Sequence, residues 1–168
     1  MPLGVFKQKS RNLTIAVTQT APNFYQHLQS TIYGQHIATA TIAKLIGNHL
    51  EKSTQPLTVT FQGPTGVGKS YASRKVAEAV FTLGLESRFV HFWSGATLFT
   101  DVEKKSHYEK QIKDWVSTNI SSCPHQLFVF DEVDEMPDGL LNVLRSYISP
   151  SPGDRSADYS KAIYIFIT

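Results

Sequence analysis

Apolar positions along the chain switch repeatedly between helical and extended spacing. Over residues 36–50, Ala38, Ile42, Leu45, Ile46 and His49 recur at i, i+4, i+7, i+8 and i+11, the spacing of one helical face. Pro56 breaks that pattern, and the run Leu57 to Phe61 reads as a buried strand. Ala72, Val76, Val80 and Leu83 predict a helix over residues 69–83. A strand over 88–92 follows, then a helix over 108–121 with Tyr108, Ile112, Trp115 and Val116 on one side. Residues 126–130 form a third strand signal that ends at Asp131. Pro137, at a first turn, opens a further helix signal over 137–148, carried by Leu140, Leu141, Leu144 and Ile148. A Ser- and Pro-rich loop over 149–154 precedes a last apolar strand at 162–167.

Such alternation implies an α/β fold, a parallel sheet with helices on both faces. Residues 1–30 are polar and contain Pro2 and Pro22, so they read as an irregular lead-in to a single domain over 31–168. Composition changes this picture little. With 168 residues and 41% hydrophobic content the chain can build one core, and a net charge of +2 with 18% charged residues gives no push toward a polyanion. The lone Cys123 excludes an internal disulfide and a multi-thiolate zinc site, and reads as a small buried apolar residue. The six histidines show no HExxH or HxxxH spacing. Residues 1–10 hold no apolar run of signal-peptide length, so the chain taken literally reads as soluble and untargeted.

One segment carries specific chemistry. Gly63-Pro64-Thr65-Gly66-Val67-Gly68-Lys69-Ser70 is a P-loop, set between a strand signal and a helix signal as phosphate binding requires. Glycines at 63, 66 and 68 let successive backbone N–H groups turn inward around a β-phosphate. The helix that begins near Lys69 aims its positive end at the same anion, and Tyr71 extends the contact stretch into that helix. Lys69 supplies a point charge for the β- and γ-phosphates, and the Ser70 hydroxyl is a magnesium ligand. The expected ligand is ATP or GTP with Mg2+.

Asp131 and Glu132 follow the apolar run Leu127 to Phe130, which sets them apart from a solvated acidic helix start. Asp131 is placed to hold magnesium, directly or through water, and Glu132 to orient or deprotonate an attacking water. The pair favours hydrolysis over transfer to a bound acceptor. Asp134, Glu135 and Asp138 read instead as a solvated helix start. Trp93 and Trp115 read as core anchors and Lys104-Lys105 as a solvated loop. The sequons at Asn12 and Asn119 matter only in a secretory compartment.

Taken in order, Tyr33-Gly34-Gln35-His36, Pro56-Leu57-Thr58, the P-loop, Phe89-Val90-His91, Asn119 to Cys123, Phe128 to Asp134 and Lys161 to Phe166 resemble the torsins over about residues 30–168. The P-loop and the Asp-Glu pair alone indicate an AAA+ ATPase, and the remaining segments narrow it to torsin-like. Torsins are distant relatives of the Clp-type unfoldases. The resemblance implies an ATP-dependent protein of the endoplasmic reticulum lumen and nuclear envelope that self-associates and acts on protein clients. It further implies membrane-anchored activators that supply a missing arginine finger, an adenine beside Tyr33 and Gly34, and a position at Asn119 that is glycosylated in some relatives. Torsins commonly carry Asn after the P-loop lysine, where this chain has Ser70, the ordinary AAA+ magnesium ligand. The family also continues beyond the last strand with a polar sensor, a fifth strand and a helical lid, so this sequence reads as a fragment of the nucleotide-binding domain.

Three functions follow as expectations. The first is an ATPase that remodels protein partners, with Lys69 on phosphate, Ser70 and Asp131 on magnesium and Glu132 on water. A nucleotide-dependent switch that hydrolyses little until a partner completes the site is the second. The third, a nucleic-acid-handling AAA+ protein, calls for a basic stripe that the modest charge does not supply. Arg145 and Arg155 lie where some AAA+ proteins place an arginine finger, and neither position is diagnostic. The loop after the second strand, residues 93–107, lacks an aromatic-glycine pore motif.

Overall fold

A computed structural model of the chain describes residues 21–151 and 157–168. Residues 1–20 of the expected lead-in, Asn12 and Arg155 lie outside this described set. Within it, helices α1 (Ala21–Thr31) and α2 (His36–Glu51) precede strand β1 (Leu57–Phe61) and helix α3 (Lys69–Val80). Strand β2 (Val90–Ser94) runs into the short helix α4 (Gly95–Leu98), followed by helix α5 (Lys105–Ser122) and strand β3 (Leu127–Asp131). Helix α6 (Arg145–Ile148) and strand β4 (Ile163–Ile167) complete the order.

The four strands are parallel and lie in the order β1-β4-β3-β2. Strand β4, last in the chain, fills the gap between β1 and β3. The C-terminal ends of β1, β4 and β3 therefore share one rim, where open α/β sheets bind ligands. Side-chain alternation sorts the strand residues between two cores. Leu127, Val129, Ile163, Ile165 and Ile167 face α1, α2 and α3. Phe128, Phe130 and Tyr164 face α5 and the segment that carries Leu140 and Leu144. Because both faces are covered, β3 and β4 read as continuous apolar runs rather than alternating ones.

Parallel register stacks rings across the second face. His91, Phe128 and Tyr164 are partners across β2, β3 and β4, with ring centroids 5.1 and 5.2 Å apart. Trp93, Phe130 and Phe166 line up one rung higher, with Trp93 edge-on to Phe130 at 5.7 Å and Phe130 stacked on Phe166 at 5.5 Å. Trp93 also stacks on Trp115 of α5 at 4.1 Å, which makes both tryptophans the packing anchors expected of them. Each ring pair adds about 0.5–1.5 kcal/mol beyond its buried area.

Several elements depart from the sequence reading. Residues 21–31 are helical, not irregular: Phe24, Leu28 and Ile32 are buried at i, i+4 and i+8 in an otherwise polar segment. The buried stripe of α2 runs through Thr39, Ile42, Ala43 and Ile46, because α1 packs there; Ala38 and Leu45, less buried, line a cavity that Thr39 and Ile42 also reach. Helix α3 stops at Val80, short of residue 83. Strand β2 sits two residues later than expected, fixed by its pairing of Val90 with Leu127. Lys104 and Lys105 are solvent-accessible but not in a loop: Lys104 ends a 3₁₀ turn and pairs with Asp101 at 3.0 Å, and Lys105 opens α5.

The helix expected over 137–148 is a 3₁₀ stretch, Leu140–Leu144, followed by the single turn of α6. Gly139 has φ 72°, a left-handed conformation that cannot continue an α-helix from Pro137. Leu140 and Leu144 reach the core all the same, as their apolar spacing required. Cys123 is buried, and its thiol lies 3.7 Å from the His125 carbonyl.

Candidate functional site

Strand β1 delivers the chain to the rim, and residues 62–68 turn it back into α3. Gly66 and Gly68 have φ of 85° and 91°. A Cβ at either would meet nothing within 4 Å, so glycine is required here by backbone dihedral and the concave surface stays open. Gly68 is the N-cap of α3 and carries no side-chain cap, and the first helical bond is Ala72 N–H to the Gly68 carbonyl at 2.8 Å. The N–H groups at the start of α3 are thus left for a ligand, as an anion site requires. Lys69 Nζ donates to the carbonyls of Gly63 at 2.6 Å and Pro64 at 2.8 Å, which parks the ammonium across the loop mouth.

Strand β3 brings Asp131 and Glu132 to the same rim. Asp131 is half-buried and Glu132 exposed. The Glu132 N–H donates to Asp131 Oδ1 at 2.9 Å. Glu132 has φ 54° and is the one non-glycine with positive φ among the described residues. A strained backbone at a cleft is often tied to function. Its carboxylate is held from the neighbouring strand: Ser94 Oγ donates to Glu132 Oε2 at 2.5 Å.

Loop and acids line one cavity of about 460 Å3, with Thr65, Gly66, Gly68, Lys69, Ser70 and Tyr71 on one side and Asp131, Glu132, Asp134 and Glu135 on the other. Ile167 and Thr168 form the base between them. Four carboxylates face a single lysine here. Placed there, a polyphosphate would meet repulsion unless a divalent cation came with it, and the Ser70 hydroxyl with the Asp131 carboxylate is an oxygen set of the kind Mg2+ prefers. The residues present fit Mg2+.

A second, apolar cavity of about 620 Å3 adjoins the first and is lined by Tyr33, Ile42, Leu45, Phe61, Tyr71 and Ala72 among others. Val67, Gly68 and Lys69 lie on its wall, so it opens against the P-loop. Of the two residues expected beside adenine, Tyr33 lies on this wall. Gly34 turns the chain at φ 74° but does not line the cavity. Gly63 and Pro64 line neither cavity; they hold Lys69 through their carbonyls.

Asp134 and Glu135 occupy a 3₁₀ turn, Val133–Glu135, and line the cavity beside the P-loop instead of opening a helix. The sequence reading missed Ser94, Gly95 and Thr168. With β2 placed over 88–92, Ser94 and Gly95 fell in a loop; the true register sets Ser94 beside Asp131. The Asn119 amide nitrogen donates to the Trp115 carbonyl at 2.8 Å inside α5, so it is engaged within its own helix.

The family model described as Torsin matches residues 6–130, well over half of the chain. That span takes in α1, β1, the whole P-loop, α3 and β3 up to the residue before Asp131. The glycine loop and its two flanking elements thus sit inside the match, the acidic pair joins them through the sheet, and the chain belongs to the torsin family.

Proposed function

We propose that this chain binds Mg-ATP and couples its hydrolysis to the remodelling of protein partners. Torsin membership supports an AAA+ ATPase type of activity. The observation that carries the finer reading is the single cavity that has the P-loop on one wall and Asp131-Glu132 on the other. Phosphates would be bound by the open N–H groups of residues 66–71 and by Lys69, which gives up part of its hold on the Gly63 and Pro64 carbonyls. Ser70 and Asp131 would hold Mg2+, which neutralises phosphate charge and polarises the bond that breaks. Glu132, fixed by the Ser94 hydroxyl, orients the attacking water and takes its proton. The apolar cavity beside Tyr33 takes the base.

By family, the setting proposed is the endoplasmic reticulum lumen or nuclear envelope. The proposed partners are further copies of the chain, protein clients and a membrane-anchored activator that brings an arginine finger. The Ser94 bond to Glu132 favours a second reading, a nucleotide-dependent switch whose water-activating carboxylate stays restrained until a partner acts.

The deciding experiment measures ATP binding and hydrolysis with and without Mg2+, alone and with candidate activators, for the wild type, Lys69→Ala and Glu132→Gln. Loss of binding in Lys69→Ala, and binding without turnover in Glu132→Gln, are expected. Unchanged turnover in Glu132→Gln would remove the proposed chemistry. Hydrolysis that appears only with an activator would select the switch.

A further inference from the structure

Tyr71 follows the proposed magnesium ligand Ser70 and lines both the phosphate-side cavity and the apolar one. Its hydroxyl leaves the P-loop helix and donates to the Thr31 carbonyl at 3.0 Å. Thr31 is the last residue of α1, where helix carbonyls lack an internal partner. Immediately beyond it, residues 32–35 cross to α2 and carry Ile32, Tyr33 and Gln35 onto the wall of the apolar cavity. Gly34, at φ 74°, makes the turn in that connection. Tyr33 itself is 84% exposed, so little packing holds its ring in place. One hydrogen bond thus ties the element that meets phosphate to the segment that meets whatever fills the apolar cavity.

We propose that the Tyr71 hydroxyl is a positioning group for base recognition: it fixes the 31–35 connection against the P-loop helix so that a nucleotide's base and its triphosphate are read together. This deepens the ATP-binding reading and rests on it. Tyr71 does not act on the reacting phosphate. Removing its hydroxyl weakens ligands that fill both cavities more than ligands that fill the phosphate side alone. A role limited to capping α1 would lower thermal stability without separating the two classes of ligand.

The test is Tyr71→Phe in the full chain, with Mg2+ present, titrated with ATP and with inorganic tripolyphosphate. ATP affinity is expected to fall about three- to tenfold more than tripolyphosphate affinity, the worth of one hydrogen bond. Adding Tyr33→Ala should make the two substitutions non-additive, because Tyr71 acts through the connection that carries Tyr33. Equal losses for both ligands, or strict additivity with Tyr33→Ala, would overturn the proposal. If Tyr71→Phe does not fold, amide exchange of the wild type decides: ATP should protect residues 31–35 and tripolyphosphate should not. Equal protection by the two overturns it. Failure of the wild type to bind ATP or tripolyphosphate at all would instead sink the nucleotide reading beneath it.

Discussion

Gly95 packs directly against the backbone of Glu132: a Cβ added at Gly95 would collide with the Glu132 carbonyl oxygen and stand 2.8 Å from Met136 Cγ. Gly95 has a negative φ, so its identity is set by this approach and not by its own dihedral. Helix α4 thereby fixes the left-handed backbone of the proposed water-activating residue. Gly95→Ala should cost about 1–3 kcal/mol of stability through overpacking. It should also slow ATP hydrolysis roughly a hundredfold by misplacing the Glu132 carboxylate, since displacement by about 1 Å is enough for that. Equilibrium ATP binding should change little. Single-turnover hydrolysis beside a binding isotherm checks both, and a normal rate in folded Gly95→Ala protein would break the link.

Ser94 governs the other end of the same residue. Its hydroxyl hydrogen bond to Glu132 Oε2 holds the carboxylate from the neighbouring strand. Ser94→Ala should lower kcat about three- to tenfold with ATP affinity nearly unchanged, and Ser94→Thr should restore most of it. A rate that rises in Ser94→Ala would show restraint instead of orientation and would favour the switch.

How much of this was legible follows from which physical signal each residue carries. The P-loop and the Asp131-Glu132 pair stand next to apolar strands, so residue type and spacing mark them in the sequence. Strand β3 could be read because it is buried on both faces and shows an unbroken apolar run. Helix α1 could not, because two core residues, Phe24 and Leu28, carry its buried face among Asn, Gln, His and Ser. Ser94 and Gly95 were hidden for a different reason. Their roles depend on register with β3, which is a tertiary property, and a two-residue error at a strand end was enough to conceal them. Gly139 is the same lesson for helices: the apolar stripe beyond it is genuine, but one left-handed residue converts it to 3₁₀ geometry.

Thr39, on the wall of the apolar cavity, offers a test of stability. It is 1% exposed, and its hydroxyl has no hydrogen-bond partner among the described residues. A buried hydroxyl without a partner is unfavourable, and Val has nearly the same shape and helix propensity. Thr39→Val should therefore stabilise the protein by about 0.5–1.5 kcal/mol, or roughly 1–6 °C in Tm. Calorimetry or thermal unfolding by circular dichroism reads this directly, and a lower Tm would mean that the hydroxyl is satisfied in solution.

The end of the sheet away from the nucleotide rim sets a pH dependence. Burial, with the Lys161 charge nearby, pushes His125 from the ordinary 6.5 down to about 4, and its Nδ1 has no partner among the described residues. Burial also lowers His49, whose charge would add to that on His125. Because the folded pKa lies below the unfolded one, the unfolded chain binds more protons between these values. Stability is then full above about pH 6.5 and is lost as pH falls toward about 4. After allowance for the partial exposure of His125, the loss should be about 1–2 kcal/mol. Denaturant midpoints measured from pH 7.5 to 4.5 should fall for the wild type and fall less for His125→Leu. Parallel curves for the two proteins would show that His125 titrates normally in the folded state.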